Sequence, residues 1–131
     1  MNGIDTNVLL RLLLRDDPVQ VARAERCIVA ASQDGPVLIN PIVLAELTWI
    51  MSKRVKLPRG ELADILDDLL SADDLSVMFA VPAQRALDAY RNGRADFADY
   101  FMAEINVETG CTTTFTFDKK ARTHATFSPV P

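Results

Sequence analysis

The chain opens Met1-Asn2-Gly3-Ile4-Asp5-Thr6-Asn7-Val8-Leu9-Leu10, and the reading of this stretch decides the fold. Asn2 to Ile4 reads as a short strand. A single charge, Asp5, follows at once, and Thr6 to Leu14 then reads as a helix too apolar to stand in water. A carboxylate on so tight a strand-to-helix turn lies at the carboxyl edge of a sheet, where open α/β folds place their ligands. Asp is equally a common helix N-cap, so two readings of Asp5 stand side by side.

Working outward, the pattern repeats. Asp17-Pro18 starts a second helix, with Asp as cap and Pro at the first helical position. Val21, Ala24, Ile28 and Ala31 keep helical spacing there. Gly35-Pro36 breaks that helix before Val37-Leu38-Ile39, the short apolar run of a buried parallel strand. Pro41 begins a helix to about Val55, and Pro58 another with the stripe Leu62, Ile65, Leu66, Leu69, Leu70. Leu75 to Phe79 reads as a third strand, and Pro82 begins a helix stopped by Asn92-Gly93. Asp96 to Thr109 reads as a helix ended by Gly110. Cys111 to Phe117 is a fourth strand by propensity, Asp118 to about Arg122 a helical turn, and Thr126 to Val130 a short edge strand. Strands alternating with helices predict a single α/β domain over residues 1–131. Its expected form is a three-layer α/β/α sandwich around a short-stranded, mostly parallel central sheet.

The 131 residues, 49% apolar and 24% charged, suit a soluble globular domain with a proper core. No apolar run approaches a membrane span. The N-terminus lacks the basic region of a secretory signal, and a cytoplasmic protein is expected. Two distant cysteines, Cys27 and Cys111, and the single His124 argue against a zinc site and for free thiols. The net charge of −4 is unevenly spread: six acids and no Lys or Arg lie between Glu61 and Gln84. Elsewhere 12 acids face 14 basic residues, a net of +2, so a polyanionic substrate remains compatible with the acidic total.

Acids recur at Glu46, at Asp96 and Asp99, and at Asp118, roughly one supersecondary unit apart. Asp118, like Asp5, directly follows a predicted strand, so these two can converge at one sheet edge. Asp96 and Asp99 share a face at a helix start, where the macrodipole favours acids anyway. Capping accounts less readily for Asp99. Glu46 is the only charge in Ile42-Val43-Leu44-Ala45-Glu46-Leu47-Thr48-Trp49-Ile50-Met51, and a carboxylate buried there needs a partner cation. Gathered carboxylates repel one another unless a cation is present. Oxygen donors without His or Cys select Mg²⁺ or Mn²⁺.

Four blocks in order, GIDTNVLLR at Gly3–Arg11, VLAELTWI at Val43–Ile50, ADFADYFMA at Ala95–Ala103 and TFTFDKKA at Thr114–Ala121, closely resemble the PIN domain. The likeness is greatest to VapC-type toxins of bacterial toxin–antitoxin systems and runs through nearly the whole chain. The resemblance implies a PIN-like α/β/α fold and a Mg²⁺- or Mn²⁺-dependent endoribonuclease, usually acting on structured RNA such as tRNA or rRNA. It implies Asp5, Glu46, Asp99 and Asp118 as the catalytic, metal-holding carboxylates, with Asp96 as the extra acid of a DFAD subgroup. Met102 and Glu104 stand where the family often has Ile and Ala, which bears on helix packing. Thr6 and Asn7 match its D-T-N turn, with Asn7 hydrogen-bonded to the cluster or its water. Thr116, two residues before Asp118, would help in the same way. The family also implies a homodimer and a co-encoded, VapB-like antitoxin that puts a basic side chain into the acidic pocket. Arg11, Arg15, Lys53, Arg54, Lys119, Lys120 and Arg122 are the candidates for RNA phosphates.

Two other classes compete. A catalytically inactive PIN-fold binding module would keep the fold without the chemistry. A receiver-like signalling domain also binds Mg²⁺ with strand-end acids, but needs an early acidic pair and a late-strand Lys. Asp5 has no acidic neighbour, and Lys119 and Lys120 come after Asp118.

Overall fold

The structure is a computed structural model describing residues 1–131. Helix α1 (Thr6–Leu14) leads into α2 (Pro18–Ala31), strand β1 (Val37–Ile39) and α3 (Pro41–Trp49), which continues as a π-helical turn, Ile50–Arg54. Then come α4 (Arg59–Ser71), β2 (Leu75–Val77), α5 (Ala80–Asn92), α6 (Phe97–Thr109), β3 (Thr114–Thr116), a 3-10 turn (Ala121–Thr123) and β4 (Phe127–Pro129). The α/β class and the parallel pairing are as expected from the sequence. The Asp17 cap is as well, its carboxylate accepting from the Val19 and Gln20 amides, and Asn40, which the sequence reading did not single out, accepts from Ile42.

The sheet is more broken than expected. Val37 to Ile39 pairs in parallel with Leu75 to Val77, and Gly3 bridges Leu38 from the other side. Thr114 to Thr116 pairs in parallel with Phe127 to Pro129 as a separate two-stranded sheet. The expected Asn2–Ile4 strand is thus a one-residue bridge, and the others shrink to three residues for identifiable reasons. Gly110 takes φ 107°, and the Cys111 amide still bonds back to the Asn106 carbonyl. That closure of α6 delays the strand to Thr114. Phe79 adopts φ 59° and starts α5 at Ala80, ahead of Pro82, whose missing N–H costs nothing in a first turn.

With so little ladder, helices carry the core. α5 packs on α4 and α6, and α3 touches both α1 and α6. Leu62, Leu66 and Leu69 of the predicted α4 stripe are buried, with Ile65 and Leu70 packed against them. Tyr90 stands edge-on to Phe97 at 6.2 Å, and Phe97 lies 5.4 Å from Phe101. Truncating a core leucine such as Leu66 to Ala costs about 2–5 kcal/mol. No helix is long and apolar enough to cross a membrane. Cys27 and Cys111 are exposed and unpaired.

Candidate active site

A cleft of about 310 Å³ lies between the end of α3, the start of α6 and the turn after β3. Asp96, Asp99 and Asp118 line it, together with Lys53, Arg59, Arg94 and Lys120. Asp96 is the N-cap of α6, and its amide donates to the Asp99 carboxylate at 3.3 Å. That is one arm of a capping box, so capping does account for one Asp99 oxygen, contrary to the sequence reading. It does not account for the environment. Burial pushes the Asp99 carboxyl up first, and the Asp96 and Asp118 charges push it further, against the Asp96 amide bond and Lys53. Asp99 and Asp118, 19 positions apart in the chain, therefore feel one another.

Asp118 sits where β3 ends. Its carboxylate accepts from the Lys120 amide at 2.7 Å and the Ala121 amide at 3.3 Å, capping the 3-10 turn. Its own amide donates to Thr116 Oγ1 at 2.9 Å. Thr116 thus holds the turn that presents Asp118, through the backbone.

The other two acids stand apart. Asp5 caps α1, its carboxylate accepting from the Thr6 amide at 2.6 Å, and it is exposed. Thr6 is buried, whereas Asn7 lines a different cleft of about 420 Å³ between α1 and α2, with Arg11 and Arg23. Glu46 is exposed on α3, so the argument that burial there demands a cation does not apply. The four acids expected in one centre are not gathered here: no three acidic, His or Cys side chains come close enough to share a metal ion. Asp5 and Asp118 are instead satisfied by local backbone donors.

Several cations are likewise committed. Arg11 pairs with Asp16 at 3.1 Å and Arg15 with Glu25 at 2.9 Å, surface pairs each worth about 0–1 kcal/mol. Lys53 pairs with Asp96 at 3.2 Å. Arg54 stacks 5.6 Å from the Trp49 ring. Lys119, Lys120 and Arg122 are exposed and have no acidic partner within 4 Å.

Residues that sequence reasoning missed hold the loop carrying Asp96. Arg59 lies 3.9 Å over the Tyr90 ring and donates to the Tyr90 carbonyl at 2.6 Å and to the Ala95 carbonyl. From the other side the Tyr100 hydroxyl accepts from the Arg94 amide at 3.1 Å and the Ala95 amide at 3.2 Å. Gly93 makes room: a Cβ there would fall on that hydroxyl and 2.8 Å from the Ala89 carbonyl. The Asn92-Gly93 stop signal located this glycine, but nothing in the sequence pointed to Arg59 or Tyr100.

Helices stacked over short parallel strands, with carboxylates at the strand-end side, define an α/β protein with an acidic edge. A PIN domain model matches residues 4–126, and the chain belongs to the PIN domain family. No curated protein and no solved structure matches it. PIN domains are generally nucleases that hydrolyse RNA with divalent metal, and membership sets the receiver-like alternative aside. The acids of the cleft are oxygen donors of the kind such an ion takes, but their carboxylates are not placed within shared reach of one ion.

Proposed function

We propose that this chain is a VapC-type toxin, a Mg²⁺- or Mn²⁺-dependent endoribonuclease with Asp5, Glu46, Asp99 and Asp118 as its metal-holding carboxylates. The observation that carries the reading is the approach of Asp99, Asp96 and Asp118 in one cleft rimmed by basic side chains. The bound ion would supply a Lewis acid that neutralises phosphate charge and lowers the pKa of the attacking water. The chain's part is placement. Arg59 and Tyr100 fix the loop before α6, Thr116 fixes the turn at Asp118, and Lys120 and Arg94 offer charge to the RNA backbone. Asp96 serves as cap and auxiliary acid, and Thr6 and Asn7 shape the turn after Asp5.

In this reading the substrate is a tRNA- or rRNA-class RNA in the cytoplasm, and the partners are a second copy of the chain and a VapB-like antitoxin. Exposed apolar side chains support protein partners: Ile42 is 75% exposed and Phe117 85%. Sequencing RNA ends after controlled expression tests the proposal. Wild type should leave new ends at defined sites, and Asp5→Asn should leave none. A second reading, an inactive PIN-fold binding module, draws on the lack of three acids within shared reach of one ion. It predicts the same RNA ends from both proteins.

A further inference from the structure

Strand β3 and the residue after it alternate in burial: Thr114 and Thr116 are half-buried, Phe115 and Phe117 exposed. That is the two-residue period of a strand, so both rings stand on one side of it. Phe115 is 61% exposed and Phe117 85%, and folding gains little from rings so open. Neither ring pairs with another aromatic or with a cation. Lys119, Lys120 and Arg122 follow at once, exposed and without an acidic partner within 4 Å. Open rings beside free cations are the two parts of a single-strand binding surface: any base has a π face to stack on a ring, and the cations track the phosphates. The three cations on this one segment favour a polyanion over an apolar protein surface, which would bury them without a counter-charge.

We propose that Phe115 and Phe117 form a stacking platform for two bases of single-stranded RNA, with Lys119, Lys120 and Arg122 holding the flanking phosphates. The proposal rests on the nuclease reading and deepens it, because it fixes the state of the RNA that is bound. A base inside a duplex has both faces covered, whereas loops and ends offer unstacked bases to aromatic side chains. Two strand residues span about 6.5 Å, so each ring takes a base of its own. Phe117 directly precedes Asp118, which lines the acidic cleft with Lys120, and a nucleotide seated on that ring lies beside the cleft. Rings and cations are in place in the free chain, so this recognition needs no metal ion and is separable from cleavage. Stacking does not read base edges, and exposure of the strand in a folded RNA, more than its sequence, decides where the chain binds.

The test measures affinity for a short fluorescein-labelled RNA, single-stranded or annealed to its complement, by anisotropy in EDTA across a salt series. Phe117→Ala should weaken binding of the single strand about five- to a hundredfold, the worth of one stacked base, with the salt slope unchanged. Phe115→Ala should weaken it less, the ring being less open. Phe117→Trp should bind like wild type, whereas Phe117→Leu, apolar but not flat, should bind like Phe117→Ala. Lys119→Gln and Lys120→Gln should each reduce the salt slope by about 0.7, the loss of one phosphate contact on a single strand. Val29→Ala, an exposed apolar truncation on α2, should change nothing, and the duplex should bind wild type and Phe117→Ala alike. A wild type that binds the single strand no better than Phe117→Ala does overturns the platform alone. So does a Phe117→Leu that binds like wild type, an outcome that gives the ring to a protein partner. A wild type that binds neither single strand nor duplex overturns the nuclease reading, and this proposal with it.

Discussion

The acids of the α6 edge and those of the N-terminal half are the same residue types under opposite conditions. Asp96, Asp99 and Asp118 line one cleft, and the loop leading to them is clamped by Arg59 and Tyr100. Asp5 and Glu46, exposed like Asp118, do not line that cleft, and the Asp5 carboxylate is bound only to the adjacent Thr6 amide. Local hydrogen bonds suffice to place a single carboxylate. Bringing two like charges together needs tertiary contacts that override repulsion, and these occur only on the α6 side.

The largest effect that sharpens this contrast is on cleavage. Asp99→Asn should lower RNA cleavage in Mn²⁺ by about a hundredfold or more, since even outer partners of a metal ligand are worth about 10–100-fold. Asp96→Asn, altering a cap, should cost much less. Equal losses from the two, in a timed cleavage assay, would break the distinction between ligand and cap.

Next comes the clamp. Arg59→Ala removes a stacked cation and leaves the Tyr90 and Ala95 carbonyls short of a donor, so urea unfolding should show a loss of about 2–4 kcal/mol. Lys in its place should restore little, lacking the forked geometry. Asp5→Asn, by contrast, should stay within about 0.5 kcal/mol of wild type, because Asn caps as well as Asp. A large loss there would make Asp5 a structural residue first.

The smallest effect concerns pH. Asp99 is raised from 3.8 by burial and then by Asp96 and Asp118, so the folded state keeps a proton that the unfolded chain has released. Metal-free stability should therefore fall as pH rises from about 3.8 through the raised value, and level off above it. Asp99→Asn should flatten that fall in thermal melts run in EDTA. A fall of the same size in both proteins would show that Asp99 does not bear the repulsion.

Much of the fold was legible because its signals are local. Asp17-Pro18 and Pro41 announce their helices, and the α4 stripe announces its buried face. Strand lengths were not, since Gly110 and Phe79 spend neighbouring residues on left-handed turns. The order of the four motif blocks pointed to the acids as a set, but not to which would meet. Nor could it show the clamp: Arg59 reaches carbonyls 31 and 36 positions away, and no periodicity encodes a side chain bonding a distant backbone. Trp49 and Phe79 are exposed, while Met51 and Tyr90 are buried, a division of the large apolar side chains that residue type alone does not give.

The π-helical turn after α3 makes the cleft sensitive to length in a way that no substitution reproduces. The Val55 amide bonds to the Ile50 carbonyl at 3.0 Å, a five-residue span that holds one residue more than an α turn. Remove one residue there and the turn can rewind as α-helix, changing which residues of the turn face the cleft. Glu46, upstream, would keep its phase, while Lys53 and Arg54 would exchange directions with their neighbours. Indels at Ile50–Arg54 are thus a route by which related chains could re-aim their cations while every acid stays in register.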